Sequence, residues 1–208
     1  MSVEIYSTVS ELIARAVAVV SAAAASGPVA LSGGDTPRPV YEALASAGIE
    51  GDWYQVDERC VPFGDPDSNA TMIERAGLRL HRIDTALSPE DAAAGYEAAL
   101  RDRWSGGRPA LALLGIGADG HTASLFPGSP EVDERGHDVV ATRDAHAGNR
   151  RVTMTLPLLA RFEQRVFLVA GAPKADVVAR VLSKGEDLPA ARVADALWFL
   201  DAGAAAGL

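Results

Sequence analysis

Asp119 and His121 stand two residues apart in the run Leu111-Ala-Leu-Leu-Gly-Ile-Gly-Ala-Asp-Gly-His-Thr-Ala-Ser-Leu-Phe-Pro-Gly128. An imidazole in such a place can take up and return a proton near neutral pH. Gly115, Gly117 and Gly120 surround the pair. Glycine suits backbone that must pass close to a ligand, because there is no Cβ to collide with it. The apolar Leu111–Leu114 just before reads as a buried strand, so the two titratable groups are expected on a loop at a strand's end.

Three other loops carry charge or free backbone. Ser32-Gly-Gly-Asp-Thr-Pro37 has the logic of an anion cradle. Gly33 and Gly34 free their N–H groups, Thr36 offers a hydroxyl, and the next helix presents its positive end. Asp35 works against this unless its side chain points away. Asp57-Glu-Arg-Cys-Val-Pro62 sets two acids and Arg59 at the end of a strand. A surface ion cluster would look the same and be worth little. Ser68-Asn69 after it reads as a helix cap. Arg150-Arg151 precedes an apolar run, and Lys174 opens a helix after Gly171-Ala-Pro173. A lysine there opposes the helix dipole, which a bound anion would explain. His81, His137 and His146 lie in polar surroundings with no paired motif and are expected to be exposed. No Cys/His spacing marks a metal site.

The elements that must position these loops alternate. Strands are expected at Val3–Tyr6, Val29–Leu31, Trp53–Val56, Leu111–Leu114, Val139–Val140, Val152–Leu156, Val166–Ala170 and Leu197–Leu200. Helices are expected at Thr8–Ala25, Arg38–Ala47, Ser88–Trp104 and Ala172–Leu182, with Thr8 or Ser10 and Ser88 as caps. Ser105-Gly-Gly107 is a short turn. The alternation implies βαβ units, a mostly parallel sheet and helices on both faces. Ligands in such folds bind at the carboxyl ends of strands.

The chain has 208 residues, 48% of them hydrophobic, and a net charge of −9. That balance argues against nucleic acid or an anionic membrane as partner. An anionic substrate would need local cations to override the field. The single Cys60 rules out an internal disulfide framework and points to a reducing compartment. The residues after Met1 do not resemble a signal peptide, and Ala14–Ala25 is too short and too interrupted to span a membrane. A cytoplasmic location is expected.

Gly115-Ile-Gly-Ala-Asp-Gly120 also matches the G-x-G-x-x-G dinucleotide pattern. That pattern needs a long helix after its last glycine, and Pro127-Gly128 forbids one. Instead, four blocks together resemble the 6-phosphogluconolactonase family, within the glucosamine-6-phosphate isomerase/deaminase superfamily. They are Ser32–Pro37, Asp57–Pro62 with Ser68-Asn69, Gly115–Gly128, and Arg151-Val-Thr-Met-Thr155 with Gly171–Lys174. The match spans nearly the whole chain, and the third block is the most specific.

The resemblance implies a single domain over residues 1–208 with a three-layer α/β/α, Rossmann-like fold. It implies cofactor-free hydrolysis of 6-phosphoglucono-δ-lactone in the pentose phosphate pathway, by a monomer or weak homodimer. Asp35 departs from the family, which often has a neutral or basic residue there. In that reading His121 is the general base. Asp57 or Asp119 orients its imidazole, and the sequence does not choose between them. Arg59, Arg151 and Lys174 converge with Gly33, Gly34 and Thr36 on the phosphate. Glycine-loop N–H groups or Arg59 face the oxyanion. The related deaminases carry an acid five positions after the histidine, where this chain has Phe126. A non-catalytic sugar-phosphate sensor of the same fold would need a DNA-binding domain for which this chain has no spare length.

Overall fold

The structure, a computed structural model, describes residues 2–105 and 107–208. The turn at Ser105–Gly107 thus falls partly, at residue 106, outside the described residues, as does Met1. The chain begins with β1 (Ser2–Tyr6), α1 (Val9–Ala24), β2 (Val29–Leu31), α2 (Arg38–Ser46) and β3 (Trp53–Gln55). Next come β4 (Asp57–Arg59), α3 (Asn69–Arg75), β5 (Leu80–His81), α4 (Pro89–Arg103) and β6 (Leu111–Leu114). It ends with β7 (Val139–Ala141), β8 (Arg151–Met154), α5 (Leu156–Leu159), β9 (Gln164–Val169), α6 (Ala175–Leu182) and β10 (Leu197–Asp201).

Seven strands form one parallel sheet in the order β1-β10-β9-β6-β2-β3-β5. Successive side chains of a strand point to opposite faces, and both faces of this sheet are covered. Val29, Leu31, Leu111, Leu113, Val166 and Phe199 pack with the α1 and α2 residues Leu12, Ala16, Val20, Val40 and Leu44. Ala30, Ala112, Leu114, Phe167 and Trp198 face the other way, onto Tyr96 and Leu100 of α4 and Val178 and Val181 of α6. Strands buried on both faces read as continuous apolar runs, which is why these were found in the sequence. Helix α1 starts where a capping box forces it to: Thr8 Oγ1 accepts from Glu11 N–H, and the Glu11 carboxylate accepts from Thr8 N–H. Ser88 caps α4 by accepting from Asp91 N–H, with Pro89 at the first helical position.

Three expectations need correction. Asp57-Glu-Arg59 does not end a strand but is one. With β8 and β7 it forms a second, antiparallel sheet, order β4-β8-β7, against which α4 packs. Polar residues at short range gave no periodicity by which to see it. The run expected as a strand to Leu156 stops at Met154, because α5 opens at Leu156 with Pro157 in its first turn. The helix expected from Ala172 opens with a 3-10 turn at Ala172–Lys174 and becomes α-helical only at Ala175. Val56 joins the two sheets. Its N–H donates to Leu31 O in the large sheet (3.0 Å), and its carbonyl accepts from Met154 N–H in the small one (2.9 Å).

Candidate active site

The large sheet presents the carboxyl ends of β2, β6 and β9 to one rim, and the small sheet stands beside them. Between the two lies a cavity of about 290 Å³ lined by Gly33, Gly34, Asp57, Arg59, His121, Arg151 and Lys174. An adjoining cavity of about 300 Å³ shares Gly33, Gly34 and Lys174 and adds Thr36. Every residue expected to bind substrate therefore borders one or the other. Asp119 lines neither and acts on the site only through His121.

The loop after β6 is folded on itself. Gly117 N–H donates to His121 O (2.9 Å), and Gly120 N–H to Gly117 O (3.0 Å). These two glycine N–H groups are spent, so they are not free to meet an oxyanion. A Cβ on Gly117 would lie 2.1 Å from the His121 ring, so only glycine lets the imidazole sit where it does. Asp119 Oδ1 is 2.6 Å from His121 Nδ1 and accepts from His121 backbone N–H at 3.1 Å. Of the two candidate carboxylates, Asp119 is the one that reaches the ring. In a neutral imidazole a carboxylate on Nδ1 favours the tautomer with its proton there, which leaves Nε2 the lone pair. Burial opposes ionisation of Asp119, but the backbone N–H and the imidazole of His121 outweigh it and hold the carboxyl below its ordinary value.

Asp57 is held elsewhere. Its Oδ2 accepts from Ser124 Oγ at 2.6 Å, and Asn69 Nδ2 donates to its main-chain O at 2.9 Å. Asn69 was expected only to cap a helix. Ser68 does that, through Thr71 N–H, while Asn69 is buried and borders the cavity. Its side chain fills the space where Gly33 would carry a Cβ, 1.8 Å from Asn69 Oδ1. Next to Asp57, Glu58 points to the opposite face of β4. It accepts from the backbone N–H groups of Arg59, Asn69 and Ala70 at 2.7–2.8 Å and from Gln55 Nε2 at 2.7 Å. Burial still raises its pKa above the ordinary carboxyl value against these donors. It ties β4 to the start of α3 and so fixes Asp57, Arg59 and Asn69 together.

Two of the three cations, Arg59 and Arg151, come from the small sheet, and Lys174 comes from the turn after β9. Arg59 and Arg151 are direct cross-strand partners in the β4–β8 pair, and like charges placed opposite each other destabilise a sheet. Arg151 is 9% exposed. Burial pulls it below the ordinary guanidinium value, Asp57 pulls the other way, and Arg59 adds to the fall. The buried Nε atoms of both arginines and the buried Ser32 hydroxyl have no hydrogen-bond partner among the described residues. Three unsatisfied polar groups around one cavity are costly unless a ligand completes them. Lys174 Nζ donates to Ile116 O at 2.7 Å and so leans over the same loop. Asp35 is turned outward, 91% exposed at its side chain and paired with Arg38, so it leaves the cradle unopposed.

The histidines outside the motif differ from expectation. His137 is exposed, but His81 and His146 are half-buried. His81 stacks on Tyr54 and pairs with Asp52 (2.7 Å), and His146 stacks on Phe126. Aromatic partners far away in sequence covered both.

Comparison with known proteins agrees with this geometry. The model of the glucosamine-6-phosphate isomerases/6-phosphogluconolactonase family matches residues 2–198. A 6-phosphogluconolactonase of Synechocystis is 38% identical over 198 residues, covering 84% of this chain and 82% of that protein. One from Mycobacterium bovis is 35% identical over 221 residues, covering 92% and 90%. The crystal structure of 6-phosphogluconolactonase from Leishmania guyanensis superposes with a TM-score of 0.84 at 29% identity, over 100% of this chain and 98% of the other. A family match across nearly the whole chain, relatives above 30% identity and a shared fold leave one assignment: the chain belongs to the glucosamine-6-phosphate isomerase/6-phosphogluconolactonase family.

Proposed function

We propose that the chain is a 6-phosphogluconolactonase that acts through a single domain and serves the oxidative pentose phosphate pathway in the cytoplasm. The observation that carries this reading is the pairing, in one cavity, of a carboxylate-oriented imidazole with three cations. The phosphate of the substrate would satisfy Arg59, Arg151 and Lys174 together with the Gly33–Thr36 loop, relieving the like-charge pair in the small sheet. His121 Nε2 takes a proton from water as the water oxygen attacks the lactone carbonyl carbon. The tetrahedral oxyanion collapses, the bond to the ring oxygen breaks, and the imidazolium returns its proton to that oxygen. The products are a carboxylate, formed when the new acid ionises, and a free hydroxyl. Asp119 holds the ring and stabilises its charged form, as a carboxylate does in a triad. The N–H groups of Gly33 and Gly34 have no acceptor among the described residues and can serve the phosphate or the oxyanion.

Phe126 favours this reaction over amino-sugar deamination. Its ring centroid lies 4.6 Å from that of His121, and an apolar ring cannot move a proton. The test is a parallel assay of the purified protein. Lactone hydrolysis is measured above its spontaneous background, and ammonia release is measured from glucosamine 6-phosphate. Accelerated lactone hydrolysis without ammonia is expected. Ammonia release, or lactone decay no faster than background, would overturn the proposal.

A further inference from the structure

Phe126 is only 7% exposed, yet it touches three groups of different kinds. The His121 ring is tilted 41° against it at 4.6 Å, the Arg151 guanidinium lies 5.4 Å from its centroid, and the His146 ring stacks on it at 3.5 Å and 10°. His146 also reaches Arg151 directly, because its carbonyl accepts from Arg151 Nη2 at 3.3 Å. His146 is therefore linked to the proposed base through the Phe126 ring and to Arg151, the one buried cation of the three at the site, through its own backbone.

The turn that carries His146 is tightly built. His146 and Asn149 exchange backbone hydrogen bonds (2.9 and 3.3 Å) across Ala147 and Gly148. Ala147 has φ +53° and Gly148 +86°. A two-residue hairpin with both central residues at positive φ matches the twist of its flanks, but alanine in that region is strained. Strain of this kind persists only where the surroundings over-determine it. The stack on Phe126 and the bond from Arg151 both tie this turn to the body of the protein.

We propose that His146, acting through Phe126, is a positioning residue for the reaction. The His146 ring backs Phe126, Phe126 fixes the plane of the His121 imidazole, and the His146 carbonyl sets the angle of Arg151. His121 is gripped at its edge by Asp119 and flanked by the tilted Phe126 ring, which the His146 stack backs. An imidazole held only at its edge could still swing about the Asp119 bond. The stack removes that freedom, and the turn passes any displacement to the base and the cation together. His146 need not touch substrate or transfer a proton, so an aromatic ring without a titratable nitrogen should replace it. This proposal rests on the lactonase reading for its kinetic part only.

The test compares His146→Phe with His146→Leu, which fill similar space but differ in stacking, and adds Phe126→Leu. His146→Leu should lower kcat/KM by about tenfold, the scale of a lost aromatic pair, with both kcat and KM moving. His146→Phe should keep at least about half of the wild-type value. In histidine-labelled protein, NMR should show the ring proton signals of His121 displaced in His146→Leu and Phe126→Leu but not in His146→Phe. Titration with inorganic phosphate should show several-fold weaker binding in His146→Leu, through Arg151. The NMR and phosphate arms need no turnover, so they judge the positioning role even if the lactone assay fails. Equal behaviour of His146→Leu and His146→Phe in all three measurements would overturn it, and so would a His146→Phe variant as impaired as His146→Leu.

Discussion

The strands of the large sheet that approach the cavity, Val29–Leu31 and Leu111–Leu114, are apolar throughout and fully buried. None of their side chains dominates the site; what they contribute is the loops at their ends, with Gly33, Gly34, Gly117 and His121. The small sheet works the other way. Asp57, Arg59 and Arg151 reach the cavity from within strands β4 and β8. Because side chains alternate, one face of β4 carries Asp57 and Arg59 to the cavity while Glu58 anchors the strand from behind. The proposed chemistry thus comes from backbone turns on one side and charge from strand faces on the other. A loop can shape itself closely around one ring. A strand pair can hold two like charges at a fixed spacing that neither would choose.

The difference is sharpest where His121 is removed. His121→Asn should lower kcat by roughly 10²–10⁴, the usual worth of general acid–base catalysis, with a smaller change in KM. A background-corrected kcat near wild type would remove His121 from the role and leave Asp57 as the next candidate. Gly117→Ala tests the loop without removing a titratable group. Its new Cβ would fall 2.1 Å from the His121 ring and must displace it. A loss of about 10² in kcat is expected from such a misplacement, and an unaltered kcat would show that the ring's position is not critical. On the cation side the effect should be smaller and appear mainly in KM. Lys174→Ala or Arg151→Ala should each cost on the order of 1.5–3 kcal/mol, as expected for a lost charge-assisted contact. If both leave KM unchanged, the phosphate is bound elsewhere.

The same contrast explains what could be read from the residues alone. Apolar runs marked six of the seven strands of the large sheet and the loop of His121, because burial on both faces leaves a clear pattern, whereas the two-residue edge strand Leu80–His81 was too short and too polar to mark itself. The charges of Asp57, Arg59 and Arg151 were visible, but not that they belong to paired strands. A three-residue strand of Asp, Glu and Arg has no hydrophobic period, and its partner is the distant strand Arg151–Met154. The choice between Asp57 and Asp119 had the same cause. It turned on Ser124 and Asn69 claiming Asp57, and those contacts cross 67 and 12 residues. Asn69, Ser32 and His146 were passed over because nothing local marks a polar residue that a distant element will bury.

Val56 carries a mechanical consequence. It is fully buried, its N–H is bonded to the large sheet, and its carbonyl is bonded to the small one. Swinging the cation-bearing wall away from the base-bearing floor would break both bonds and wet a core valine. That is an expensive hinge, because low-cost openings are found where backbone bonds are few and exposed. The wall that carries Asp57, Arg59 and Arg151 is thereby tied to the sheet whose loops carry the proposed base at the point where the two sheets meet.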